Sequence, residues 1–275
     1  MIRAVLLALL LATPAAAQPA SRWAAADGPA PGPARSIGGA ALGCLQGAAQ
    51  LPSEGPGWQA VRLSRNRHWG HPETIRWVQG FAGRARAAGF PELWIGDIAQ
   101  SRGGPMPWGH ASHQTGLDVD IWLDLRAKAA FAPRHSREEL EIPSLVLPDQ
   151  TEVDPSRFTA RHAALIRLAA ESPGVDRVIV NHGIKRSLCR IHGGEAWLRR
   201  VRPWRGHDSH MHVRLRCPAG SPDCVEAPPI PPGDGCDAAL DWWLTEEARR
   251  PPPRPAQPAP PPRLPAACAP LLAGR

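Results

Sequence analysis

"WGHASHQTGLDVDIWL", Trp108–Leu123, ends in the clearest strand of the chain. From Leu117 the residues alternate strictly. Leu117, Val119, Ile121 and Leu123 are apolar, and Asp118, Asp120 and Trp122 fall between them. A period of two puts these sets on opposite faces of a strand. One face serves a core and the other presents two carboxylates. A second stretch, "WRGHDSHMHVRLRC" (Trp204–Cys217), predicts another strand and places His210 and His212 on one face, about 6.6 Å apart at Cα. Of the 11 histidines, His110, His113, His207, His210 and His212 lie in these two stretches. Crowded imidazoles repel when charged and lose hydration when buried, so a shared task is implied.

Working outward, "HPETIRWVQGFAGRARAAGF" sets Ile75, Val78, Phe81 and Ala82 at helical spacing and stops at Gly89. "LWIGDIA" follows as a strand. "TARHAALIRLAAES" predicts a helix, "VDRVIVN" a strand, and "IKRSLCRI" and "EAWLRRV" two short helices. The expected fold is α+β: a single domain with a central, mainly antiparallel sheet flanked by helices and stapled by disulfides. The domain is expected over 37–248. Residues 18–36, rich in Ala, Pro and Gly, read as a flexible lead-in, and 249–275 as a proline-rich tail tied back by Cys268, with Pro251–Pro265 extended and polyproline-like.

"MIRAVLLALLLATPAAAQPA" has a basic start, a short apolar core and small residues at Ala15–Ala17, the pattern of a cleavable signal peptide over 1–17. The apolar core is too short for a membrane span, and no later stretch qualifies, so no integral membrane span is expected. The six cysteines all follow the cleavage point. In an oxidising compartment an even count reads as disulfides. Cys217 and Cys224 flank the turn-forming "PAGSPD" and are the easiest pair to join. No Cys-x-x-Cys supports a zinc finger. The net charge of +7 and pI near 9.8 suit, in an exported protein, an acidic surface such as cell-wall polymer or anionic lipid rather than nucleic acid, or serve solubility alone; charge by itself does not choose between these. The sequence sets no oligomeric state.

Neutral imidazoles and a carboxylate suit zinc in an open catalytic site, where a fourth position is left for water. His113, in a loop feeding the Asp118/Asp120 strand, and the His210/His212 pair can supply such a set. Spacing leaves open which aspartate and which histidine bind. A histidine left over would act as a general base or steady a developing oxyanion. His68, His71, His135, His162, His182 and His192 read as surface or hydrogen-bonded core residues. Gly-x-Ser-x-Gly, His-Glu-x-x-His and phosphate-cradling Gly-x-x-x-x-Gly-Lys motifs are absent.

The segments "GGPMPWGHASHQTGLDVDIWL" and "VRPWRGHDSHMHVRLRCPAGSPDC" closely resemble the penicillin-insensitive murein endopeptidases. These are zinc peptidases related to lysostaphin-type enzymes, D-Ala-D-Ala carboxypeptidases and hedgehog domains. "SIGGAALGCLQGAAQLP", "RHWGHPETIRWVQ", "LIRLAAESPGVDRVIVN" and "PPGDGCDAALDWW" extend the likeness over nearly all of the mature chain. The resemblance implies a periplasmic enzyme that hydrolyses D-alanyl–diaminopimelyl cross-links of peptidoglycan. Its His-x6-Asp and His-x-His pattern implies Zn²⁺ on His113, Asp120 and His212, with His110 as a possible fourth ligand. His210 is then the catalytic histidine and His207 a further active-site group. The alternatives are a D,D-carboxypeptidase trimming terminal D-Ala and a non-catalytic zinc-containing wall-binding domain. Asp118 stands where the carboxypeptidase branch prefers Ala, which favours the endopeptidase. Some relatives carry Asp-x-x-His for a further metal. Here that stretch is "PDQTEVD", with Asp149 present and Glu152 in the histidine's place. The family's disulfides imply Cys44–Cys268, Cys189–Cys236 and Cys217–Cys224.

Overall fold

The computed structural model describes residues 19–129, 132–250 and 263–273. Helix α1 (Ala20–Ala24) precedes an antiparallel hairpin of β1 (Arg35–Gly39) and β2 (Leu42–Gln46). Short strands β3 (Ala49–Gln50), β4 (Glu54–Gly55), β5 (Trp58–Ala60) and β6 (Trp69–Gly70) lead to helix α2 (Pro72–Ala87) and strand β7 (Leu93–Ile95). Then come β8 (Asp118–Trp122), α3 (Ala160–Ala170), β9 (Val175–Val180), α4 (His182–His192), β10 (Val201–Pro203) and β11 (His210–Leu215). Short helices α5 (Ala238–Trp243), α6 (Glu246–Arg249) and α7 (Ala269–Ala273) follow.

Seven strands form the central sheet, in the order β10-β9-β11-β8-β7-β5-β4. The β9–β11, β11–β8, β8–β7 and β5–β4 pairs are antiparallel, and β10–β9 and β7–β5 are parallel. The fold is α+β with a mainly antiparallel sheet, as the alternation predicts. The two histidine-bearing stretches become neighbouring central strands. Their register sets His210 opposite Trp122, His212 opposite Asp120 and Arg214 opposite Asp118. Residues directly opposite share a face, so one face gathers the polar groups. The other carries Val119, Ile121, Met211 and Val213, all 0% exposed.

Helix α2 starts with His71 Nδ1 accepting from the Glu73 amide at 3.2 Å and with Pro72, whose missing N–H costs nothing at a first turn. It buries Ile75, Val78, Phe81, Ala82 and Ala85, a stripe one helical turn apart. Helix α3 packs on β9 and on α2, and α4 on β10.

Several segments differ from their sequence reading. "LWIGDIA" leaves the strand after Ile95, and Gly96 and Asp97 instead run beside β8, with the Asp120 amide donating to the Asp97 carbonyl at 3.0 Å. The helix expected at "IKRSLCRI" begins earlier, at His182, because the Asn181 side chain accepts from the Gly183 amide at 2.8 Å. "EAWLRRV" forms a 3₁₀ turn over Ala196–Arg200 before β10. The lead-in is not loose where it is described: α1 buries Trp23 completely, in a small second core with Ala30, Ile37, Cys44, Cys268 and Leu271. The expected signal peptide 1–17 and residues 251–262 of the proline-rich run lie outside the described residues. Disulfides join Cys44–Cys268, Cys189–Cys236 and Cys217–Cys224, the pairs the resemblance implies. Among the described residues no helix is long and apolar enough to cross a membrane.

Candidate metal centre

The polar face of β8 and β11 supplies Asp120, His210 and His212 from rigid strands. His113 arrives on the loop before β8, in the left-handed region at φ 67°. That loop is fastened from both sides. Gln114 accepts from the Gly43 amide at 3.2 Å and donates to the Ala41 and Ala111 carbonyls at 2.9 and 3.0 Å, tying it to the β1–β2 hairpin. Gly116, at φ 71°, makes the turn into β8; a Cβ there would lie 2.5 Å from Leu45 Cδ2 and 2.8 Å from the His71 amide nitrogen.

Each histidine at the centre has one ring nitrogen committed elsewhere. His113 Nδ1 donates to the Ile98 carbonyl at 2.7 Å, and His212 Nε2 donates to Asp118 Oδ1 at 2.7 Å. Their other nitrogens are thereby left as acceptors, an arrangement typical of histidines that ligate metals. His113 Nε2 lies 3.2 Å from His212 Nδ1, and each is 3.4 Å from Asp120 Oδ1. Asp120 Oδ1 is buried and makes no hydrogen bond. Three acceptors thus face one another with no proton assigned between them. Ligands about 2.0–2.1 Å from a tetrahedral ion stand roughly 3.3–3.4 Å apart. The donor set and its spacing therefore fit a metal ion. His113, Asp120 and His212 are each under 5% exposed, so an ion there would be sheltered beneath them.

The electrostatics agree with this arrangement. Burial pushes the Asp120 carboxyl up, but the facing His113, His210 and His212 imidazoles outweigh it and hold the group well below its ordinary range. Asp118, fully buried, is also held down, because Arg214 and His212 outweigh its burial. Burial alone would lower the His212 imidazole; Asp118 and Asp120 reverse this and raise it. A carboxylate-flanked imidazole that attracts a proton also attracts a metal cation.

His110, His113 and Asp120 offer ligand atoms all within 4.8 Å of one another. His110 Nε2 is 3.5 Å from Asp120 Oδ2, but it is closer, at 3.1 Å, to Asp97 Oδ2. His210 Nε2 is 3.8 Å from Asp120 Oδ1, and its ring lies 5.2 Å from Trp122 and 4.9 Å from His207. Burial lowers the His210 imidazole, partly opposed by Asp120. Burial together with His210 and His212 pushes His207 down to about 3. His207 is itself left-handed at φ 54°, and its carbonyl accepts from the Asn181 amide at 2.8 Å. All six residues named from the sequence thus meet at one place. Of the pairs that spacing left open, Asp120 and His212 point into the centre, while Asp118 stands behind His212.

Asp97 is the participant that sequence reasoning missed. It is 4% exposed and receives Arg67 Nη1 at 3.1 Å, Arg65 Nη1 at 3.2 Å and His110. Arg67 also donates to the Trp108 carbonyl at 3.0 Å and lies 3.9 Å over the Trp108 ring, fixing the loop that carries His110. The signal was a lone acid inside "LWIGDIA", since a buried carboxylate needs partners. Glu152, in the stretch compared with Asp-x-x-His, is engaged by Arg186 and Arg190.

The sequence pattern described as penicillin-insensitive murein endopeptidase matches residues 36–273. A protein of that name from Klebsiella pneumoniae subsp. pneumoniae is 42% identical over 258 residues, covering 91% of this chain and 90% of its own. Its namesake in Haemophilus influenzae is 43% identical over 214 residues, 77% of this chain and 73% of its own. That of Salmonella arizonae is 42% identical, covering 91% and 90%. The chain therefore belongs to the penicillin-insensitive murein endopeptidase family.

Proposed function

We propose that the protein is an exported zinc peptidase that hydrolyses the peptide cross-links of peptidoglycan in the periplasm, cutting D-alanyl–diaminopimelyl bonds. One observation carries this reading: the acceptor atoms of His113, Asp120 and His212 converge at the edge length of a tetrahedral zinc site, next to His210, whose buried Nδ1 makes no hydrogen bond. The family's name and the three disulfides, which suit an oxidising compartment, support the substrate and the location.

His113, Asp120 and His212 would hold the ion, with His110 as a fourth group within reach. Bound there, zinc supplies Lewis acidity, which polarises a carbonyl and makes water a nucleophile near neutral pH. The remaining work falls to the protein. Asp118 and the Ile98 carbonyl fix the tautomers of His212 and His113. His210 and His207, both held below their ordinary value by burial, are neutral at neutral pH; His207 Nδ1 donates to the Arg205 carbonyl at 2.9 Å, whereas His210 Nδ1 makes no hydrogen bond. His210 is the better placed, 3.8 Å from Asp120 and braced on Trp122. It accepts the proton released by the attacking water and returns it to the departing amine, or steadies the tetrahedral oxyanion once charged. Because this chemistry acylates no serine, β-lactams should not inhibit it.

The test incubates the disulfide-intact protein with cross-linked muropeptide dimers. Dimers should become monomers, a chelator should stop the reaction, and added zinc should restore it. Dimers that persist with zinc restored overturn the reading. Pentapeptide monomers run in parallel would reveal terminal D-Ala trimming instead. His210→Ala should abolish turnover while zinc content stays stoichiometric; retained turnover would remove His210 from the chemistry.

A further inference from the structure

Arg62 stands at the edge of the candidate centre, and among the described residues it forms no ion pair. Its backbone is left-handed, at φ 54°, and is held by a hydrogen bond from its amide to the Arg137 carbonyl at 2.9 Å. A non-glycine residue fixed in that region is a strained position that the surroundings maintain. The guanidinium lies 4.6 Å over the Trp122 ring, and Trp122 lies 5.2 Å from His210. Arg62, Trp122 and Ser209 line a cleft of about 690 Å³, together with Arg126 and the exposed Glu141 of segment 140–143.

The neighbouring arginines are committed. Arg65 and Arg67 pair with Asp97, Arg126 with Asp124, Arg137 with Glu54, and Arg214 with Asp118. Among the described residues Arg62 has no carboxylate within ion-pair distance; its polar contact is the Leu140 carbonyl, at 3.4 Å. Burial lowers its pKa, and Arg65 adds to the effect, partly opposed by Asp97. The pocket thus holds a cation that gains from an incoming anion. A guanidinium held over an indole presents a fork suited to a carboxylate.

We propose that Arg62 binds a free carboxylate of the peptide substrate, the one on the carbon that bears the scissile nitrogen. This rests on the function proposed above. In an amide to a diaminopimelyl amine that carboxylate sits one carbon beyond the nitrogen, on the side away from the attacked carbonyl. Arg62 thereby sets which side of the cross-link enters the cleft beyond His210.

The experiment compares two cross-linked muropeptide dimers, one with this carboxylate free and one with it amidated. Wild type should lose about 10- to 100-fold in kcat/KM on the amidated dimer, the value of a charge-assisted pair. Arg62→Gln should lose a similar factor on the free dimer and treat the two alike. Arg62→Lys should keep part of the preference, because it retains a charge without the fork. Melting temperature and zinc content establish that each variant is folded; should Arg62→Gln fail to fold, Arg62→Lys and the wild-type comparison decide. A wild type indifferent to amidation, or an Arg62→Gln that slows both dimers equally and keeps the preference, overturns the assignment. A wild type that cleaves neither dimer refutes the function itself.

Discussion

Asp118→Asn separates holding the metal from touching it. Asp118 Oδ1 accepts from His212 Nε2 and from Arg214 Nε, each at 2.7 Å, and Oδ2 accepts from the His113 amide at 3.2 Å. The variant keeps the shape and one acceptor oxygen. It loses the negative charge, and its new N–H meets the N–H of His113 or Arg214. A hydrogen bond to a charged group contributes about 1.5–3 kcal/mol against about 1 for a neutral pair, so each bond weakens by roughly 0.5–2 kcal/mol. Carried through His212, this predicts a fall in zinc affinity of about 10- to 100-fold, the usual cost of losing an outer-shell partner. Competition with a chromophoric chelator at neutral pH measures it. Turnover of muropeptide dimers should then be restored by raising the zinc concentration. A variant that binds zinc indistinguishably from wild type would refute the reasoning and reduce Asp118 to a partner for Arg214.

Further outcomes concern the scaffold. Burial, partly opposed by the Leu123 carbonyl and Asp124, lowers the His162 imidazole, which the unfolded chain protonates near pH 6.5. Stability from this group is therefore present above about pH 6.5 and lost as pH falls toward the lower folded value. His162→Gln, which can still accept from the Thr159 amide as a glutamine does in a capping box, should flatten the fall in melting temperature from about pH 7 to 5; an unchanged slope counts against it. Replacing Cys44 and Cys268 together by Ala opens a loop with a sequence separation of 224, against 7 for Cys217 and Cys224. Chain entropy puts these at about 5 and about 2 kcal/mol, so the first double variant should melt lower; the reverse order would show that strain or residual structure dominates. Phe81→Ala, at a site 0% exposed and stacked 5.0 Å from Trp77, should cost about 3–5 kcal/mol in denaturant melts, and a loss under about 1 would mean that α2 can collapse into the space.

The central sheet was legible because its signal is local. Alternation in "GLDVDIWL" and His-x-His sets which residues share a face, and the β8–β11 register then pairs His212 with Asp120. Spacing could not separate Asp118 from Asp120, because both lie on that face. The difference comes from where the loop delivers His113, fixed by Gln114 and the β1–β2 hairpin far away in sequence. Asp97 was hidden for a similar reason: its partners Arg65, Arg67 and His110 come from two separate loops. The lead-in misled because its composition is that of a coil, and one residue, Trp23, overrides it. An indole with a cavity to fill orders a short helix that propensity alone would not support.

The small core around Trp23 has a consequence for how the protein is made. Its walls come from Trp23, Ala30, Ile37 and Cys44 and from Leu264, Cys268, Leu271 and Leu272, so its two halves lie far apart in sequence, Cys44 and Cys268 by 224 residues. Synthesis runs from one end to the other, and the early half waits without a partner until Leu264–Leu272 emerge. Only then can the clasp between Cys44 and Cys268 shut. The backing of the hairpin that steadies His113 is thus completed only when Cys268 and Leu271 are in place, and a reduced chain, or one lacking them, would carry its histidine loop on an unsecured support.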